Sequence, residues 1–305
     1  MYKKIILLLI PTLLSLAMSA QQTGLYSNYM FSMQEFNPAY AGSRGVLSAV
    51  ALHRSQWTGF DGAPSSEYIA VSSPTPFYNL CGGFSIASDR IGPLTSNSLS
   101  LDVAHSLKLS EKVNLRYGVK LNGQFNNARF GDLNVIETTD AAFTSNLKSK
   151  MAGNIGFGTL VEFGNYYVGI SSPRMVNRTY KAKDNAVSVI ESKNQVLMNA
   201  GGYIAINKDF ALRPAAIMRL THGAPVQFDI NATCIYKNLF WLGLLGRTGD
   251  AFGVQIGGNV KEMFQVGYAI DLSVGGVNGY TSHEVVLRYD LIKGDKKLDG
   301  LHRYF

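Results

Sequence analysis

The stretch Val113-Asn114-Leu115-Arg116-Tyr117-Gly118-Val119-Lys120-Leu121-Asn122-Gly123 decides the architecture. Its odd positions are Val, Leu, Tyr, Val and Leu, and its even ones Asn, Arg, Gly, Lys and Asn. Successive side chains of a strand point to opposite faces, so this segment has one apolar face and one polar face. That is the signature of a strand between two different environments. The same alternation recurs from Phe210 to Leu220, Val226 to Cys234, Phe264 to Leu272 and Val285 to Leu291. With weaker runs included, strands are expected at 46–57, 66–73, 79–89, 97–109, 112–124, 151–163, 165–172, 196–206, 209–221, 225–236, 239–248, 251–260, 263–274 and 282–292. The total is even, as single-chain bacterial outer-membrane barrels require. One misfit is Pro214, which removes a ladder hydrogen bond inside its strand.

Connection lengths point the same way. Such barrels have short turns on the periplasmic side and longer loops outside. With both termini periplasmic, connections after even-numbered strands should be short, and Ser110-Glu111, Gly164, Asn207-Lys208, Lys237-Asn238 and Lys261-Glu262 are. The longest gaps, 125–150 and 173–195, follow odd-numbered strands. Close after the short turns stand Leu115, Tyr166, Phe210, Phe240 and Phe264, placed as an interfacial girdle would be. A soluble sandwich or propeller also alternates, but its inner face varies in size to interdigitate. Repeated apolar faces of uniform length fit a lipid-facing band. Glycines on the opposite face, at Gly153, Gly156, Gly158, Gly201, Gly257 and Gly267, leave room in a lumen. The expected fold class is therefore all-β, a transmembrane antiparallel β-barrel of about 14 strands, located in the outer membrane.

Composition is consistent with this. The 305 residues are 46% hydrophobic and only 16% charged, with 31 glycines; soluble domains average about 25% charge. Sixteen Phe and sixteen Tyr argue against disorder. Residues 1–20 have the pattern of a signal peptide, with Lys3 and Lys4, an apolar run from Ile5 to Leu16, and Ser19-Ala20 as the cleavage site. Without those lysines, 26 Lys plus Arg stand against 21 Asp plus Glu, a charge of +5. No basic block interleaved with aromatics marks a nucleic-acid partner. The domain division is then signal peptide 1–20, a leader or plug-like segment 21–45, the barrel 46–292 and a tail 293–305. The leader is expected at or within the periplasmic mouth.

The leader carries a family resemblance. Tyr29-Met30-Phe31 is followed by Asn37-Pro38-Ala39-Tyr40-Ala41-Gly42-Ser43-Arg44-Gly45 and by Arg54-Ser55-Gln56-Trp57-Thr58-Gly59-Phe60-Asp61-Gly62-Ala63-Pro64. These strings resemble the opening of the PorP/SprF family of Bacteroidetes outer-membrane proteins, with Ser32 to Glu35 replacing the usual Asn-rich spacer. The resemblance implies a barrel of the type IX secretion system, which exports adhesins, gliding proteins and hydrolases. It also implies partners: a secreted adhesin or its type B C-terminal sorting domain, and other secretion components, beside outer-membrane lipid.

Catalytic chemistry has no motif here. No glycine-rich loop carries the lysine of a phosphate site. His53, His105, His222, His283 and His302 lack metal spacing, and no Gly-x-Ser-x-Gly elbow occurs. No cofactor is implied, and the chain reads as non-enzymatic. Cys81 and Cys234 lie far apart in strand order and read as buried small residues rather than a bridge. Asp102, Arg116, Lys120, Glu162, Arg213, Arg219, Asp229, Asp271 and Arg288 should face the lumen, because a charge in lipid is expensive. There they would form an ion-pair network. Loop 173–195 has a surplus of three positive charges; Arg174, Arg178, Lys181 and Lys183 are candidate contacts to an acidic partner or lipopolysaccharide. The competing function is a passive pore or small-molecule transporter, since fold does not fix function.

Overall fold

A computed structural model describes residues 26–129, 147–181, 189–274, 277–292, 298 and 301. Fourteen strands form one closed antiparallel barrel. They are β1 (Leu47–Ser55), β2 (Ser65–Pro74), β3 (Leu80–Ile91), β4 (Leu94–Lys108), β5 (Val113–Ala128), β6 (Ala152–Phe163) and β7 (Tyr166–Ser172). Then follow β8 (Gln195–Gly202), β9 (Phe210–Thr221), β10 (Gln227–Tyr236), β11 (Phe240–Arg247), β12 (Ala251–Val260), β13 (Phe264–Ser273) and β14 (Thr281–Leu291). Each pairs with its sequence neighbours, and β14 closes on β1 from Leu47↔Leu291 to Ser55↔His283. Closure leaves no unpaired edge, the condition for crossing a bilayer with strands.

Alternation sorts the side chains as expected. Leu121, Ile230 and Leu244 point outward at 57%, 63% and 63% exposure, while their lumen neighbours Lys120, Asn231 and Leu245 are buried. Near the short turns, outward rings meet across adjacent strands: Phe264 with Tyr289 at 4.8 Å, Phe210 with Tyr236 at 5.0 Å, Phe163 with Tyr166 at 5.9 Å. This girdle marks a membrane boundary at the short-turn end. That end is the periplasmic one by the same rule. Lys237 and Asn238 both have left-handed φ (50° and 54°), as a two-residue hairpin turn demands.

Pro214 sits where the β8–β9 ladder is interrupted. Pairing runs to Gly201↔Ala215, skips two positions, and resumes at Ile204↔Leu212. The missing amide therefore falls in a gap. Differences from the sequence expectation are local. Strand β5 extends to Ala128, and Leu147–Lys148 add to its far end. Within loop 173–195, Arg178–Lys181 pairs antiparallel with Val189–Ser192, a hairpin the charged sequence does not announce. Gly153 points outward, not to the lumen. Cys81 is buried, but Cys234 is exposed on the lipid face, and both thiols are free. The expected signal peptide, 1–20, lies outside the described residues, as does most of the tail; of the latter, Leu298 and Leu301 are buried.

Candidate functional site

The site is the lumen itself, because residues 26–45 occupy it. The segment makes a 3-10 turn at Tyr29–Phe31, a short helix α1 (Met33–Phe36) and a second 3-10 turn at Pro38–Tyr40. Asn37 caps the last: its Oδ1 accepts from the Ala39 amide at 2.9 Å, and Pro38 fills the first helical position. Tyr26, Tyr29, Met30, Phe36 and Ala39 are almost wholly buried and share one core with the wall residues Val50, Tyr68, Leu160, Ile217 and Trp241. Inward glycines make the space. A Cβ on Gly118 would stand 2.6 Å from the Pro38 carbonyl carbon, and one on Gly158 would meet Asn37. On this wall, the room that sequence alone left for a lumen is filled by the leader.

The segment reaches farther than the mouth. Arg44 is clamped near the short-turn end by Asp290, at 2.9 and 2.5 Å. Gln34 reaches Asp102 at 2.9 Å about halfway up. Tyr26 to Asn28 lie toward the long-loop end, beside Arg54, the next-to-last residue of β1, and Asp271, two short of the end of β13. There Glu284 accepts the Ser27 and Asn28 amides at 2.7 and 2.6 Å. The Ser27 hydroxyl donates to Asp271 and accepts from Arg54 at 2.7 Å. Gln255 donates to the Ser27 carbonyl, and Arg247 to the Tyr26 carbonyl at 3.1 Å.

The lumen charges fall into two roles. All nine named from the sequence are buried. Ion pairs join Arg54 to Asp271 (2.7 Å) and Glu284 (3.3 Å), Lys120 to Asp102 (3.1 Å), and Asp229 to both Arg219 (2.7 Å) and Arg247 (3.0 Å). In a low-dielectric interior such pairs must satisfy each other, since desolvation costs several kcal/mol per ion. Arg116 and Arg288 act differently. Arg116 donates to the Ala39 and Ala41 carbonyls at 3.0 and 2.7 Å, and Arg288 to the Phe31 carbonyl at 2.9 Å. Periodicity alone could place these arginines inward but could not say that they hold a peptide, because their acceptors are backbone groups of a segment without a period. Glu162 accepts from Asn114 at 2.7 Å.

The motif residues split between two places. Asn37, Pro38, Ala39, Tyr40, Ala41 and Gly42 are in the lumen, with Tyr40 accepting from Asn199 at 2.6 Å. Gln56, Trp57, Gly59, Phe60, Gly62 and Pro64 form the β1–β2 loop at the opposite rim. Arg54 joins the two, projecting from β1 to Ser27. The loop is braced on both sides: the Thr58 amide donates to the Thr281 carbonyl (2.8 Å), the Gly92 amide to the Gly62 carbonyl (3.0 Å), and the Gln56 amide to the Pro64 carbonyl (2.9 Å). Phe60 stacks edge-on against Tyr280 at 5.5 Å. Trp57 sits at φ 45°, a left-handed conformation costly for a bulky residue. Among the loop cations, Arg174 donates to Gln124 at 3.3 Å; Arg178 and Lys181 lie on the hairpin backbone, and Lys183 lies outside the described residues. At the short-turn end a cavity of about 630 Å³ opens between Gly42, Arg44, Tyr78, Cys81, Arg116 and Leu298. Among the described residues, no three His, Cys, Asp or Glu side chains gather as a metal site would need.

A family model described as type IX secretion system membrane protein PorP/SprF matches residues 18–289. The chain belongs to the PorP/SprF family. As a PorP/SprF protein it is a type IX secretion membrane protein, and its closed barrel places it in the outer membrane. Solved structures agree on the fold. A FadL homologue from Pseudomonas aeruginosa is similar with a TM-score of 0.51 at 9% identity, covering 85% of this chain and 94% of its own. The outer-membrane protein Omp33 of Acinetobacter baumannii reaches 0.50 at 8% identity, covering 81% and 100%. No curated protein matches the chain.

Proposed function

We propose that this PorP/SprF protein is a non-enzymatic component of the type IX secretion system that assists the secretion or surface retention of partner proteins, such as adhesins with a type B C-terminal sorting domain. The observation that carries the reading is a family match over residues 18–289 on a barrel whose lumen its own residues 26–45 fill. A filled barrel acts through its rims. The partner surface is then the long-loop end, where the braced Trp57–Phe60 loop stands and where Arg174, Arg178, Lys181 and Lys183 lie in sequence. Other secretion components meet the short-turn end. The chain divides accordingly into a signal peptide at 1–20, the plug at 21–45, the barrel at 46–292 and the tail at 293–305.

Deleting the gene and assaying adhesins on the cell surface tests this. Loss of surface display is expected, and unchanged display would sink the reading. The second reading, a passive pore, draws on the similarity to other outer-membrane barrels. It requires conductance through the intact protein, which the plug opposes.

A further inference from the structure

We propose that the lumen wall is a peptide-binding site whose resident ligand is the chain's own segment 26–45. The segment is docked rather than woven in. Its backbone bonds from Tyr26 to Ala39 run within the segment, as Phe31 to Asn28, Glu35 to Ser32 and Asn37 to Met33 do, and no barrel strand pairs with it among the described residues. Barrel walls ordinarily bind ligands with side chains, and here side chains do the holding: Glu284, Asp271, Arg54, Gln255 and Arg247 at Tyr26–Asn28, then Arg288, Ser171 and Arg116 farther along.

The recognition has a definite chemistry. At Ser27 the wall supplies a partner for the amide, the hydroxyl and the carbonyl, and at Asn28 for the amide. Both amides share one carboxylate, so an anionic acceptor captures two adjacent N–H groups, a charge-assisted and therefore strong arrangement. The Ser27 hydroxyl adds one bond to each member of the Arg54–Asp271 ion pair, so a methyl there removes a charge-assisted hydrogen bond from both groups. The second anchor is Asn37-Pro38, fitted against Gly118 and Gly158, where any larger wall residue collides. The ligand class is thus a peptide with a hydroxyl residue flanked by free amides, followed by an Asn-Pro turn. One covalent link, at Val46, ties this ligand to the barrel. A peptide from another chain that presents the same groups competes for the lumen. The inference stands on lumen contacts and holds whichever protein the barrel serves.

The test uses the full chain with a protease site inserted after Gly45. The purified protein is cut, and labelled synthetic peptide of residues 26–45 is added while the heat-modifiable gel shift of the folded barrel is monitored. Saturable uptake of label is expected, with the Ser27→Ala peptide binding at least tenfold more weakly. Refusal of label by a folded cut barrel, or equal binding of the Ser27→Ala peptide, overturns the proposal. Should cutting unfold the barrel, hydrogen exchange in the uncut Glu284→Gln protein decides. Faster exchange of the Ser27 and Asn28 amides than in the wild type, with strand amides unchanged, supports the site; unchanged exchange at those two amides refutes it.

Discussion

Replacing Gly118 with Ala adds one methyl where the lumen has no space. The new Cβ would lie 2.6 Å from the Pro38 carbonyl carbon, 2.7 Å from the Ala39 nitrogen and 2.7 Å from the Pro38 oxygen. All three are backbone atoms, so no side chain can swing aside. Either β5 bends or the Pro38–Tyr40 turn lifts, and lifting it strains the Arg116 bonds to Ala39 and Ala41. Overpacking of this kind costs typically about 1–3 kcal/mol, and weakening one charge-assisted bond adds about 1.5 kcal/mol or more. The expected loss is therefore about 2.5–4.5 kcal/mol. Gly82 is the internal control. It lies on β3 on the outward face, and a Cβ there meets nothing within 4 Å. Gly82→Ala should be neutral within about 0.5 kcal/mol, or slightly stabilising. Urea unfolding of both variants refolded into the same liposomes, followed by tryptophan fluorescence, gives the difference. Equal midpoints for Gly118→Ala and Gly82→Ala would refute the claim that the leader packs against β5.

Other outcomes follow from the same contacts. Asp229→Asn leaves Arg219 and Arg247 sharing a neutral amide, and breaking a buried pair costs about 3–5 kcal/mol; the urea midpoint checks it. On the lipid face, Leu244→Arg near mid-band should cost about 2–4 kcal/mol, and Phe240→Arg at the girdle about 1 kcal/mol or less, by the same refolding assay.

The barrel was legible because its physics is repetitive. Lipid on one side and a polar lumen on the other impose period two on every strand, and the parity of connection lengths fixed the short-turn end. The ring pairs at Phe210–Tyr236 and Phe264–Tyr289 could be anticipated from their distance to the turns. The leader was half legible. Asn37-Pro38 announces a capped turn locally, but the partners of Ser27 are Arg54, Gln255, Asp271 and Glu284, spread over four strands. No period links residues so far apart, so the depth of the segment could not be read. Likewise Cys234 continues an outward apolar face, and only its place in that alternation, rather than the general habit of cysteine, tells that it meets lipid. The hairpin 178–192 is too short and too charged to carry an alternation signal.

The most direct measurement of the central claim is single-channel conductance of the purified protein in planar bilayers, with and without residues 26–45. Closed by its own segment, the intact barrel should give no steady current, and the deletion should give discrete open steps. A steady open channel from the intact protein, equal to that of the deletion, would contradict the account.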